Sequence, residues 1–187
     1  ELLGIIGHSG SGKSTLIQHL NGLLRTQKGR VQVLSLNASS NHDIRKIRQH
    51  VGLVFQYPEH QLFEETVFQD IAFGPRRLGL DVNQVEKRVL KAARVVGLSE
   101  EILERSPFEL SGGQKRRTAI VRAMMAEADF VCLDEPFKGL DEQTRERTMA
   151  YVADRLSGKT GLLITHDPKE AALFGKPLEF FSDRLDP

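Results

Sequence analysis

Residues 7–15, GHSGSGKST, place Gly7, Gly12, Lys13 and Ser14 at the positions of a G-x-x-x-x-G-K-[ST] phosphate loop. The apolar run LLGII precedes the loop and KSTLIQHLNGLL comes after it, which supplies the strand before and the helix after that such a loop requires. Glycines let the backbone curl so that successive N–H groups and the positive end of the next helix face an anion. Ser9, Gly10, Ser11, Gly12, Lys13, Ser14 and Thr15 are therefore the candidate nucleotide-binding residues. Lys13 would reach the β- and γ-phosphates, and the Ser14 hydroxyl would ligate Mg²⁺. The competing reading is an ordinary glycine-rich turn, and the flanking pattern favours nucleotide binding.

A second place for chemistry is DFVCLDEP, where an apolar run ends in Asp134, Glu135 and a proline. In open α/β sheets ligands sit beyond the carboxyl ends of strands, the edge from which a phosphate loop also emerges. Asp134 there would hold Mg²⁺ through water, and Glu135 could polarise the water that attacks a γ-phosphate. Taken alone, the same residues suit a solvated acidic turn. His166, in LLITHDP, could contact the γ-phosphate from the end of another strand, although a single histidine there is more often incidental. Gln56, after VGLVF, suits Mg²⁺ or the attacking water and by itself carries little information.

The elements that must position these groups can be read from hydrophobic periodicity. Short apolar runs predict strands at 2–6, 31–34, 51–55, 130–134 and 162–165. Amphipathic spacing predicts helices at 13–24, 82–96, 114–126, 142–156 and 168–174, with Pro168 at a first helical position. Such alternation gives an α/β fold, a mainly parallel sheet flanked by helices. Between 56 and 110 the strand signal stops, so residues 57–110 are expected to form a small helical insertion in a core made of 1–56 and 111–187. With 187 residues, 40% apolar and 27% charged, the chain has the composition of a folded domain. A formal net charge of +1 leaves no electrostatic footprint for nucleic acid. Cys132 is the single cysteine and sits in the apolar run FVCL, which predicts a buried, reduced thiol. No signal peptide or long apolar span is recognisable, and the expected compartment is the cytosol. Glu1 opens directly in a strand-like run without a methionine, which suggests a fragment or numbering that starts inside a longer protein.

A further glycine-rich stretch, LSGGQKRR at 110–117, begins with a helix-capping serine and leads into an amphipathic helix with Ala119, Ile120, Ala123 and Met124 on one face. It is built like another anion-binding helix start. Lys115, Arg116 and Arg117 oppose the dipole of that helix end at a cost of about 0.3–1 kcal/mol each, so something negative is expected to compensate. With one lysine-bearing phosphate loop in the chain, this second anion site implies either a second ligand or the ligand of another molecule.

LSGGQ between the phosphate loop and VCLDEP, with His166 after the next strand, resembles the ATP-binding cassette (ABC) ATPases over nearly the whole chain. The resemblance implies a P-loop NTPase fold, ATP and Mg²⁺ as ligands, and a head-to-tail pair of ABC subunits. It implies that Ser111, Gly112, Gly113 and Gln114 act on the partner's nucleotide. Lys13, Ser14, Gln56, Asp134, Glu135 and His166 would act on the chain's own nucleotide, and Asp141 in GLD matches the loop that crosses between the sites. Residues 51–75, VGLVFQYPEHQLFEETVFQDIAFGP, are similar to the ATPases of energy-coupling-factor transporters, importers of vitamins and of metals such as cobalt or nickel. That likeness implies a transmembrane coupling subunit as partner and a place at the inner face of the cell membrane, with no nucleic acid. Tyr57, Leu62, Phe63, Val67 and Phe68 form an apolar set that suits either a docking patch or the core of the insertion.

The chain departs from the family pattern in places. The aromatic that stacks on adenine lies upstream of the first strand in the family, so the N-terminal β-subdomain is expected to be incomplete. Lys138 stands where a small residue is common, and residues 118–145 look more like compact bacterial importer ATPases. The alternative functions are a soluble ABC ATPase acting on DNA or ribosomes, and a truncated cassette with little activity.

Overall fold

The computed structural model describes residues 1–8, 10–172, 174, 175, 178 and 179. Its elements alternate in type along the chain, beginning with β1 (Leu2–Ile6), α1 (Lys13–Leu20), β2 (Gln32–Val33), β3 (Leu36–Asn37), α2 (Asn41–His50) and β4 (Val51–Val54). Helices α3 (Val67–Arg77), α4 (Val82–Val95), α5 (Glu100–Leu103) and α6 (Gly112–Met125) come next. The chain then forms β5 (Phe130–Asp134), α7 (Glu142–Arg155), β6 (Thr160–Ile164), α8 (Pro168–Ala172) and β7 (Leu178–Glu179).

One compact unit contains Glu1–Leu53, Ala128–Glu135 and the described residues from Gly158 onward. Its sheet has the order β4-β5-β6-β1-β7, and the β5/β6, β1/β6 and β1/β7 pairings are parallel. Continuous apolar runs produce this, because strands covered on both faces need no polar alternation. Val131, Cys132, Leu133, Leu163 and Ile164 are buried at its centre. Burial pushes the Cys132 thiol up to about 12, so it is an inert core residue as expected. Gly4 lets α8 lie close on β1: a Cβ there would stand 2.9 Å from the Ala171 carbonyl oxygen.

The expected strand at 31–34 is instead the first arm of a hairpin. Leu34 and Ser35 both have left-handed backbones, φ 50° and 64°, which turn the chain within two residues and pair β2 with β3 in antiparallel register. Helix α2 was not expected, since only Ile44 and Ile47 on it are buried hydrophobics. Ser40 caps it by accepting from the Asp43 N–H.

The second unit contains Val54–Glu127 and Pro136–Ser157 and is helical, as the missing strand signal from 56 to 110 implies. Besides all of 57–110 it takes in residues 54–56, α6 and α7. Helix α6 buries Ala119, Ile120, Val121, Met124 and Met125, and packs on α3 at a very close approach at Gly74. Thr66, Asp81, Ser111 and Asp141 each accept from a backbone N–H of the following helix, so these four helix starts are set by local side chains.

Candidate active site

Strand register brings the chemistry together. Ile5 pairs with Ile164, and Ile164 with Asp134, so the carboxyl ends of β1, β6 and β5 stand in one row. Each end leads directly into a functional segment: the phosphate loop after Ile6, Thr165 and His166 after Ile164, and Glu135 after Asp134. This is where an α/β sheet places its ligands.

In the phosphate loop Gly12 caps α1 with a left-handed backbone, φ 93°, which a side chain would strain. Helix α1 carries no acidic residue in its first turn, which leaves its positive end to an anion. Lys13 is buried at 6% exposure, and its ammonium donates to the Gly7 carbonyl at 2.8 Å, the His8 carbonyl at 2.7 Å and the Ser11 hydroxyl at 3.0 Å. The positive charge is thus folded over its own loop. Gly10 is open, with nothing near a hypothetical Cβ, and Thr15 is exposed. Ser9 lies outside the described residues.

Asp134 is buried, and that burial pushes its carboxyl above the usual carboxylate range. A hydrogen bond with Ser14 and the charges of Lys13 and His166 pull it down, while the neighbouring Glu135 pushes it up. Ser14 and Asp134 therefore present adjoining hard oxygen atoms, a donor set that fits Mg²⁺. Glu135 is 7% exposed and has a left-handed backbone, φ 44°, an unusual state for a residue with a side chain. Its N–H donates to the Ile164 carbonyl at 2.8 Å, and its carboxylate meets His166 Nε2 at 2.5 Å.

Sequence reasoning missed the groups that hold His166. Thr165 and Glu170 are both buried, and the Thr165 hydroxyl donates to Glu170 at 2.5 Å while accepting from the Asp167 N–H at 3.1 Å. These bonds fix the turn that carries His166. A threonine followed at i+2 by Asp and at i+5 by Glu was the available signal.

The remaining candidates belong to the helical unit. Gln56 is half-buried, and its carbonyl accepts from Arg116 at 3.3 Å. Ser111 and Gln114 close a capping box: the Ser111 hydroxyl accepts from the Gln114 N–H at 3.4 Å, and the Gln114 side chain accepts from the Ser111 N–H at 2.9 Å. Ser111 and Gly112 are exposed, so this helix start faces outward. Part of the compensation expected for its cations is internal. Arg117 donates to the Val96 and Gly97 carbonyls at the end of α4, at 2.8 and 2.9 Å, and interacts with Asp141. Asp141 caps α7 through the Thr144 N–H at 3.0 Å, and these bonds to Thr144 hold its carboxyl below the usual range.

The apolar set after Gln56 divides. Leu62 and Val67 are core residues, whereas Tyr57 and Phe63 are more than half exposed. Arg122, which sequence reasoning passed over, organises this segment. It donates to the Gln61 carbonyl at 2.6 Å, lies 4.7 Å from the Phe63 ring centre and 5.3 Å from that of Phe73, and pairs with the fully buried Asp70 at 3.6 Å. Asp70 also accepts from the Phe63 and Glu64 N–H groups. Arg122→Ala should destabilise the unit by about 3–5 kcal/mol, because it strands a buried carboxylate. Arg122→Lys should recover only part of this, since an ammonium keeps the charge but loses the planar contact with two rings. Thermal melts of both variants check the order; equal stability of the lysine variant and the parent would remove the planar contact from the account.

A left-handed glycine loop on a buried lysine, set beside a Ser–Asp pair and a Glu–His pair at aligned strand ends, defines a phosphate-loop nucleotide-binding domain. Residues 1–138 match the family model described as ABC transporter. The chain belongs to that family, and its fold is that of an ATP-binding cassette. It is 47% identical to the energy-coupling factor transporter ATP-binding protein EcfA2 of Symbiobacterium thermophilum, in an alignment covering 100% of this chain and 70% of that protein. It is also 47% identical to EcfA2 of Bacillus subtilis, over 92% of this chain and 64% of that one. The dimeric ATP-binding cassette MJ0796 bound to ADP and Pi superposes with a TM-score of 0.84 at 28% identity, covering 97% of this chain and 81% of that one. The structure of cbiO1 from Clostridium perfringens, part of the transporter complex cbiONQ, gives a TM-score of 0.72 at 35% identity, covering 92% and 70%. The chain thus spans roughly two thirds of the length of these EcfA2 relatives, 70% and 64% for the two named.

Proposed function

We propose that this chain is the ATP-binding and hydrolysing subunit of an energy-coupling-factor importer, driving uptake of a vitamin or a metal ion through head-to-tail closure of two cassettes. The observation that carries the reading is the single row of strand ends that joins Lys13, Ser14, Asp134, Glu135 and His166. Lys13 and the α1 N-terminus bind the β- and γ-phosphates. Ser14 and Asp134 would hold Mg²⁺, which would neutralise phosphate charge. Glu135 takes a proton from the water that attacks the γ-phosphorus, the bond to the bridging oxygen breaks, and ADP and phosphate leave. His166 holds the Glu135 carboxylate and is placed to sense the γ-phosphate.

Residues 111–114 would complete the nucleotide site of a second ABC subunit, with Asp141 on the crossing loop. The exposed Tyr57 and Phe63 after Gln56 suit contact with a transmembrane coupling subunit. No helix among the described residues is long and apolar enough to cross a membrane, which is compatible with a peripheral place on its inner face. Sedimentation of Glu135→Gln with and without MgATP tests the closure. A dimer that forms only with MgATP, and is lost when Gly112→Glu adds a carboxylate beside the γ-phosphate, is expected. A chain that stays monomeric with MgATP would remove the homodimeric form of the proposal.

A further inference from the structure

The first compact unit carries a concentration of charge that the nucleotide site does not use. Residues 23–50 hold six cations, Arg25, Lys28, Arg30, Arg45, Lys46 and Arg48, against one carboxylate, Asp43, in a chain whose formal net charge is only +1. All six cations are exposed. Elsewhere arginines meet carboxylates, Arg88 with Glu127, Arg94 with Glu100, Arg105 with Glu109 and Arg145 with Glu142. Among the described residues none of Arg25, Lys28, Arg30, Arg45 and Arg48 forms an ion pair. Asp43 accepts instead from the Asn37 N–H at 3.1 Å.

Local contacts gather part of this charge onto one flank of α2. Asn41, Arg45 and Arg48 stand at i, i+4 and i+7 and so share one side of the helix. At one end of that side Arg25 donates to the Asn41 side-chain oxygen. At the other end Arg48 donates to the Asn21 and Gly22 carbonyls at 3.4 and 3.1 Å. The chain from Gly22 to Arg25 is thereby laid along α2, and Leu23 and Leu24 fall beside Arg45. Their backbone is fixed, because both N–H groups donate to the Gln18 carbonyl, at 2.8 and 3.1 Å. The two leucines are nevertheless 45% and 39% exposed.

We propose that this flank, Leu23, Leu24, Arg25 and Arg45 with Lys28 and Arg30 in the loop that follows, rests on an anionic lipid surface. The guanidinium groups meet headgroup phosphates and carboxylates, and the leucines enter the layer beneath them. Exposed leucines set among cations match a bilayer interface, which offers anionic oxygens above an apolar layer. Nucleic acid offers phosphates without an aliphatic layer, and single strands are held by stacking on aromatic side chains. Residues 23–50 contain no Phe, Tyr or Trp. The proposal goes beyond the transport reading by giving the chain a lipid contact of its own, and it uses none of the nucleotide-site residues.

Sedimentation of the intact protein with vesicles of phosphatidylcholine, alone or with a third of phosphatidylserine, tests it. Binding to the anionic vesicles should be about tenfold or more tighter than to the neutral ones. Arg25→Gln combined with Arg45→Gln should weaken it by about tenfold or more, from roughly fivefold per cation at a membrane surface. Leu23→Ser combined with Leu24→Ser should weaken it by about fivefold or more through lost apolar burial, with the melting temperature unchanged. Arg45→Gln decides alone if the double arginine variant fails to fold, because the Arg45 side chain makes no hydrogen bond or ion pair with the described residues. ATP turnover without vesicles tests the transport reading separately, so either can fail alone. Equal binding to neutral and anionic vesicles, or binding to neither, would overturn the proposal. Insensitivity to the leucine substitutions would reduce the patch to a general polyanion site and overturn it equally, and duplex DNA bound more tightly than the vesicles would name nucleic acid as that polyanion.

Discussion

Glu135→Gln binds ATP as tightly as the parent and turns it over roughly 10²–10⁴-fold more slowly, the span expected for removal of a general base. The structure makes this a clean substitution. Glu135 is nearly buried, its backbone is tied to Ile164, and its carboxylate rests on His166. A glutamine occupies the same volume and can keep a hydrogen bond to the imidazole, so the left-handed backbone at this position is undisturbed. What changes is the charge and, with it, the basicity. Lys13, Ser14 and the loop backbone, the proposed phosphate-binding groups, are untouched. Phosphate release under steady-state conditions gives the rate, and equilibrium nucleotide titration gives the affinity. Retained turnover would take Glu135 out of the chemistry, and lost affinity would show that its charge matters to binding instead.

Gly74→Val lowers the melting temperature by at least about 6–12 °C in a chain of this size, equivalent to about 3 kcal/mol or more. Two effects oppose each other here. A glycine inside α3 costs about 0.5–1 kcal/mol relative to alanine, so a side chain would ordinarily help. At this position, however, a Cβ would stand 2.8 Å from both the Met125 carbonyl oxygen and the Ala126 nitrogen. These are backbone atoms at the end of α6 and cannot rotate away, so the helices must separate and give up the buried contact between them. The clash outweighs the propensity gain several-fold. Thermal or urea denaturation measures it, and a valine variant as stable as the parent would mean that α3 and α6 tolerate a looser packing.

The parts of this protein legible in the amino-acid order are those whose physics is local. A phosphate loop needs its glycines and lysine within a few residues, a capping box needs Ser111 and Gln114 three apart, and buried parallel strands announce themselves as short apolar runs. Hence Leu2–Ile6 and Phe130–Asp134 lie where expected, as do the main helices to within a few residues at most of their ends. Elements whose stability comes from distant partners were less visible. Helix α2 has only two buried isoleucines, and α3 contains Gly74-Pro75, a pair that locally signals a turn and is helical because α6 packs against it. The apolar set after Gln56 could not be divided by composition; Arg122, some 60 residues further along, decides which side chains stack around it. The sequence by itself determined which groups could bind phosphate and where the strands carrying them end. Only the tertiary structure decided that Ser14 meets Asp134, that His166 meets Glu135, and that Thr165 and Glu170 hold that turn, because strand order and register, set by side chains throughout the sheet, bring these separate segments into one row.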